Sequence, residues 1–222
     1  MKCEVIGGNL PAALCRLDAG ETVLCQKGAM IWMDDVFEME TDGAKGLGRL
    51  ISGESLFRNR YTAVRGAGEI AFASNFPGDI LELDITPGKS VIAQKGSYLA
   101  SEPGVEYAVY FQDKARKGLF GGEGFIMQKF SGNGKLLIEI DGAAREYVLA
   151  AGERKIIDTG YLVMMDDTCT MDIEKVRGAK NAMLGGEGFF NTVVTGPGRI
   201  VLQTMPVRQL AGVLAQFMPS SN

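Results

Sequence analysis

The sequence predicts an all-β fold made of three tandem copies of one antiparallel unit, followed by a single C-terminal helix. Three observations carry this expectation. First, "FGGEGFIMQKFSGNGKLLIE" from Phe120 is restated as "LGGEGFFNTVVTGPGRIVLQ" from Leu184, and in a looser form as "ISGESLFRNRYTAVRGAGEIAFA" from Ile51. Second, "AGETVLCQKGAMIWMDD" from Ala19, "PGKSVIAQKGSYLASE" from Pro87 and "AGERKIIDTGYLVMMDD" from Ala151 align without gaps. Third, the segments between these landmarks are short runs of apolar and β-branched residues that end at glycine, as strands bounded by turns do.

The two landmarks keep step. Glu54, Glu123 and Glu187 are equivalent, and a Gly-x-Gly pair follows each of them. That pair is Gly132 and Gly134 in the second copy and Gly196 and Gly198 in the third. In the first copy it is Gly66 and Gly68, three residues later. Gly20, Gly88 and Gly152 each stand eight residues before Gly28, Gly96 and Gly160. A fixed period of about 65–70 residues at two independent landmarks is the signature of internal repetition. It sets repeats at 1–72, 73–137 and 138–206, with 207–222 left for a helix and tail.

Within a repeat, "TVLCQKG", "SVIAQKG" and "KIIDTG" read as strands, while "KLLIEI" and "ILELDI" alternate apolar with charged residues. The Gly-x-Gly and Pro-Gly pairs supply turns that need positive φ. Each repeat is therefore expected to form six to eight short antiparallel strands. A unit of that size cannot bury both faces alone, so the three should pack into one pseudo-threefold body. After Pro206, Val207, Leu210, Ala211, Leu214 and Phe217 recur at helical spacing, and proline suits a first helical turn. Such a helix serves either as a lid on the protein's own sheets or as an interface.

Composition narrows the function. A net charge of −4 and 46% hydrophobic residues suit a soluble globular chain and point away from nucleic acid. The chain has no histidine, which removes Ser-His-Asp and Cys-His catalysis and His-ligated metals. Cys3, Cys15, Cys25 and Cys169 show no metal-ligand spacing and are expected to be buried thiols. The segment "MKCEVIGGNL" offers no export-signal core, and no stretch approaches ~20 apolar residues, so the expected location is cytoplasmic.

The three glycine-glutamate units, the "QKG" turns and the acidic pair after them resemble the bacterial members of the Altered Inheritance of Mitochondria family, over essentially the whole chain. The resemblance implies three units each similar to the Trp RNA-binding attenuation protein subunit, a short double-stranded β-helix. It also implies a homotrimer that closes a ring of nine units. It implies a shape and no mechanism.

Three features recur in every copy and are the candidate sites. Glu54, Glu123 and Glu187 could hold a hard cation together, but the plainer reading is a carboxylate bonding turn amides at a repeat junction. Asp34, Glu102 and Asp166, after the middle turn, are weaker metal candidates and also ordinary strand-ending residues. Lys45 and Arg49, Lys114, Arg116 and Lys117, and Lys175, Arg177 and Lys180 gather eight of the 23 basic residues in three short stretches. Those loops could bind phosphate, a lipid head group or RNA backbone.

No phosphate-loop or dinucleotide pattern is present, and nothing calls for a cofactor. The expected function is a non-enzymatic, ring-forming scaffold whose first partner is itself, with room for another protein partner. The alternatives are an anion-binding module at the basic loops and, further off, a carboxylate- or metal-dependent enzyme.

Overall fold

The computed structural model describes residues 1–42, 58–113, 125–175, 190–215 and 217. The first part of the chain forms β1 (Lys2–Ile6), β2 (Ala12–Leu17), β3 (Thr22–Gln26), β4 (Met30–Met33), β5 (Phe37–Asp42), β6 (Arg58–Ala63) and β7 (Gly68–Ala73). The middle forms β8 (Gly78–Ile85), β9 (Val91–Gln94), β10 (Tyr98–Ser101), β11 (Val105–Asp113), β12 (Phe125–Gly132) and β13 (Gly134–Asp141). The last part forms β14 (Ala144–Leu149), β15 (Arg154–Asp158), β16 (Leu162–Asp166), β17 (Thr170–Lys175), β18 (Phe190–Thr195), β19 (Gly198–Gln203) and the helix α1 (Val207–Ala215). The protein is therefore nearly all β, as its glycine-punctuated apolar runs predict.

Every ladder between these strands is antiparallel, and they assemble four sheets. The orders are β1-β2-β7-β4, β5-β6-β3-β10-β13-β8, β11-β12-β9-β16-β19-β14 and β15-β18-β17. One pairing scheme recurs along the chain. β3 pairs β6, β9 pairs β12, and β15 pairs β18. Likewise β4 pairs β7, β10 pairs β13, and β16 pairs β19.

The core lies in three hydrophobic clusters that successive parts of the chain share. The first centres on Leu17, Val23, Tyr61 and Phe72, and takes in Leu99, Ala100 and Leu137 from β10 and β13. The second, around Tyr98, Phe130 and Ile138, takes in Val163, Met164 and Val201 from β16 and β19. The third, around Leu149, Ile157 and Met165, draws Ile92, Phe125 and Met127 from the middle of the chain. Consecutive segments thus bury each other's apolar faces, the dominant favourable term in any such fold.

One buried carboxylate stitches the first junction. Glu139 on β13 accepts from Gln26 Nε2 at 2.9 Å, Ser74 Oγ at 2.7 Å and the Asn75 amide at 3.2 Å. Burial pushes its pKa up, and the three donors hold it partly back down.

One expectation needs correction, and one alternative is narrowed. Cys3 and Cys15 are not thiols but a disulfide, because the β1–β2 register sets them directly opposite each other. Cys25 and Cys169 are buried thiols, and burial raises Cys25 to about 12, which leaves it inert as a nucleophile. The helix α1 is not a lid over the sheets along its length. Val207 and Leu210 are half-buried, whereas Val213, Leu214 and the following Phe217 are exposed.

Candidate interaction edges

The acidic step after the middle turn has the same local geometry at all three places. Asp34 Oδ2 accepts from the Glu69 amide at 2.8 Å, Glu102 Oε2 from the Lys135 amide at 2.7 Å, and Asp166 Oδ2 from the Arg199 amide at 2.8 Å. Each of these amides follows the second glycine of a Gly-x-Gly pair. The glycine is needed for that approach. At Gly134 and Gly198, φ is 144° and 146°, and a Cβ would sit 3.0 Å from Glu102 Cβ and 3.3 Å from Asp166 Cβ.

The three carboxylates therefore satisfy strand-opening amides, one per turn, and do not converge as a metal site. Among the described residues no group of three or more acidic or cysteine side chains is arranged to hold a metal ion. Replacing Asp166 by alanine should cost about 1–2 kcal/mol, and asparagine, which keeps the accepting oxygen, should recover most of it. Thermal melts in the presence and absence of a chelator check this: the loss should be the same in both.

The remaining predicted sites are placed differently. Glu54, Glu123, Glu187, Lys45, Arg49, Lys114, Arg116, Lys117, Arg177 and Lys180 lie outside the described residues. Lys175 closes β17.

The strands themselves expose a pair of edges that residue chemistry did not flag. Among the described residues, β10 is flanked by β13 and β3, and β16 by β19 and β9, while β4 pairs with β7 alone. In the same way β3 and β9 each have two partners, but β15 has only β18. The aligned positions show what is missing. Trp32 on β4 is 49% exposed, whereas its equivalents Ala100 and Met164 are 0% exposed. Ile156 on β15 is 65% exposed, whereas Leu24 and Ile92 are at 2% and 1%.

The internal junctions also give a register. Ala100 pairs Cys25 and Ser101 pairs Leu24, while Met165 pairs Ile92 and Asp166 pairs Val91. Carried to the open edges through the aligned positions, that register sets Trp32 opposite Ile157, Met33 opposite Ile156 and Asp34 opposite Lys155. In the gap-free alignment Lys155 stands opposite Val23 and Val91. A lysine there would face a carboxylate. This valine-to-lysine change is the sequence signal that could have marked the edge.

The family model for mitochondrial biogenesis AIM24 matches residues 3–205. The chain belongs to the AIM24 family. An uncharacterized protein of Streptococcus pyogenes serotype M6 is 31% identical to this AIM24-family chain, over 96% of the chain and 89% of the relative. The crystal structure of a Streptococcus pyogenes protein superposes with a TM-score of 0.81 at 26% identity, covering 98% of this chain and 99% of that one. The family resemblance read from the glycine-glutamate units is thus correct. No helix among the described residues is long and apolar enough to cross a membrane.

Proposed function

We propose that this AIM24-family chain is a structural scaffold, not an enzyme, that assembles head to tail through its β15 and β4 edges. In this reading the chain is three tandem units, 1–72, 73–137 and 138–206, packed with pseudo-threefold symmetry. Each unit is a short double-stranded β-helix. The strand of type β3 in one unit pairs with the strand of type β4 in the next. That happens twice inside the chain, at β3–β10 and β9–β16, and a third time between copies. A heterologous contact of this kind closes a ring when the rotation permits, and the expected closure is a homotrimer of nine units.

The observation that carries the reading is the pair of complementary open edges. They align with strands that are flanked on both sides elsewhere in the same molecule, and Trp32 and Ile156 are exposed where the aligned Ala100, Met164, Leu24 and Ile92 are buried. An edge strand left bare in this way is a template for pairing. Charge complementarity between Lys155 and Asp34 favours a second copy as the occupant. The absence of histidine from the chain agrees with a structural role.

The test is native mass spectrometry of the protein beside its Ile156→Lys variant. The wild type should appear as a trimer at micromolar concentration. The variant puts a charge into the seam and should dissociate at a concentration at least about tenfold higher, with an unchanged monomer melt. A wild type that stays monomeric at micromolar concentration would sink the reading.

A further inference from the structure

We infer that helix α1 of one copy clasps the β1–β2 hairpin of the next, sealing the seam between copies. The inference rests on the head-to-tail assembly proposed above and adds a second contact to it.

The argument begins with how the chain passes from one unit to the next. From Ala73 at the end of β7 to Ile80 in β8, a single tight link spans the first junction. The linking turns hang on one another. The Gly78 amide donates to the Asn9 carbonyl at 2.9 Å, the Gly142 amide to the Pro77 carbonyl at 2.9 Å, and the Met205 amide to the Asp141 carbonyl at 3.1 Å.

At the seam, the link is divided between two molecules. The outgoing half is Thr204–Pro206 of one copy, and the incoming half is the end of the Gly7–Pro11 loop of the next, leading into β2. The extra segment on each side, α1 on one and β1 on the other, must leave from this same place. They are neighbours by construction.

Both carry unpartnered apolar surface. Leu10 is 71% exposed, and Val5 and Ile6 beside it are exposed as well. On the other side Leu210, Val213 and Leu214 recur at i, i+3 and i+4 and so share one face of α1, and Phe217 follows just beyond its end. Phe217 is 81% exposed.

The root of α1 is fixed where the seam requires it. The Val207 amide donates to Asp141 Oδ2 at 3.0 Å, and Pro206 is buried beside Gly160, in the turn directly after β15. The occupant is a protein surface and not a bilayer, because α1 holds a single basic residue, Arg208, where anionic lipid binding calls for several.

The test uses exposed positions, so that folding is spared. Leu214→Asp and Leu10→Asp are made singly and together, and circular dichroism verifies the fold. The dilution at which the oligomer dissociates is then read by native mass spectrometry. Each single variant should raise the dissociation concentration about tenfold, and the pair should add little beyond one alone, since both break the same contact.

If the wild type assembles and the variants dissociate at the wild-type concentration, the clasp is overturned while the seam stands. Strictly additive losses would overturn it too, as they assign the residues to separate contacts. A monomeric wild type removes the clasp together with the assembly. Binding to phosphatidylserine vesicles that Leu214→Asp abolishes, with the oligomer unchanged, would make α1 a membrane face and overturn the inference.

Discussion

Replacing Gly78 by alanine is expected to be the most damaging glycine-to-alanine change among the described residues. A Cβ at this position would fall on the Ile140 carbonyl oxygen, with the Gly142 amide nitrogen 3.1 Å away. The obstruction is backbone, and it belongs to the β8–β13 ladder, where Asp79 pairs Ile140 and Gly78 pairs Asp141. A flexible side chain could swing away. A strand backbone can move only by breaking the ladder that stitches the first junction to the second.

We expect a loss of about 3–5 kcal/mol, at the upper end of single substitutions. For a chain of this size that corresponds to a fall in Tm of roughly 10 °C or more. Gly96→Ala is the control, because a Cβ there meets nothing within 4 Å and its φ lies outside the positive region. It should be neutral or slightly stabilising. Parallel thermal melts of the two variants decide the matter, and equal melting temperatures would show that β8 adapts.

The second large effect is expected on reduction of Cys3–Cys15. The bridge spans 12 residues of sequence and joins directly opposed positions of β1 and β2. Because β1 is the outer strand of its sheet, β2 is its only strand neighbour. Besides that ladder and the bridge, the Met1 ammonium at its start pairs with Glu102 at 2.9 Å and Glu21 at 3.4 Å. Closing a loop of this length stabilises by about 3 kcal/mol.

The loss on reduction should be local. Amides of Lys2–Ile6 should exchange about 100-fold faster, while those of β13 and β19 keep their protection. Hydrogen exchange with and without a reductant measures this, and unchanged protection in β1 would mean that the ladder alone holds it. In a compartment that keeps thiols reduced, the pair exists as two thiols and β1 is the first strand to open.

The architecture was legible because it is written in local chemistry. Glycines at fixed spacing mark turns that side chains would obstruct, and the runs between them are too short and too β-branched for helices. The acidic step was legible as a position but not as a role. Only the approach of the Glu69, Lys135 and Arg199 amides shows that Asp34, Glu102 and Asp166 are turn acceptors. The disulfide was not legible, since four cysteines with no metal spacing say nothing of register. A Gly7-Gly8-Asn9 turn between Cys3 and Cys15 was the hint that they face each other across a hairpin.

The open edges were the hardest to read. Trp32 and Ile156 look like ordinary strand residues, and their aligned partners are buried. Whether a strand is flanked on both sides is a fact about pairing between distant segments, which no single run of residues encodes. The Lys155 substitution in an otherwise apolar column was the one local trace.

The continuous chain between β7 and β8 has a consequence for how such an assembly responds to concentration. Contacts inside the chain are tethered, so their partners meet at a fixed effective concentration whatever the amount of protein present. The proposed β15–β4 contact between copies would have no tether. Of every three junctions, two are therefore indifferent to dilution and one obeys mass action. In the proposed assembly, protein abundance would set the degree of association by acting on a single edge, and disassembly would return whole chains, never fragments of them.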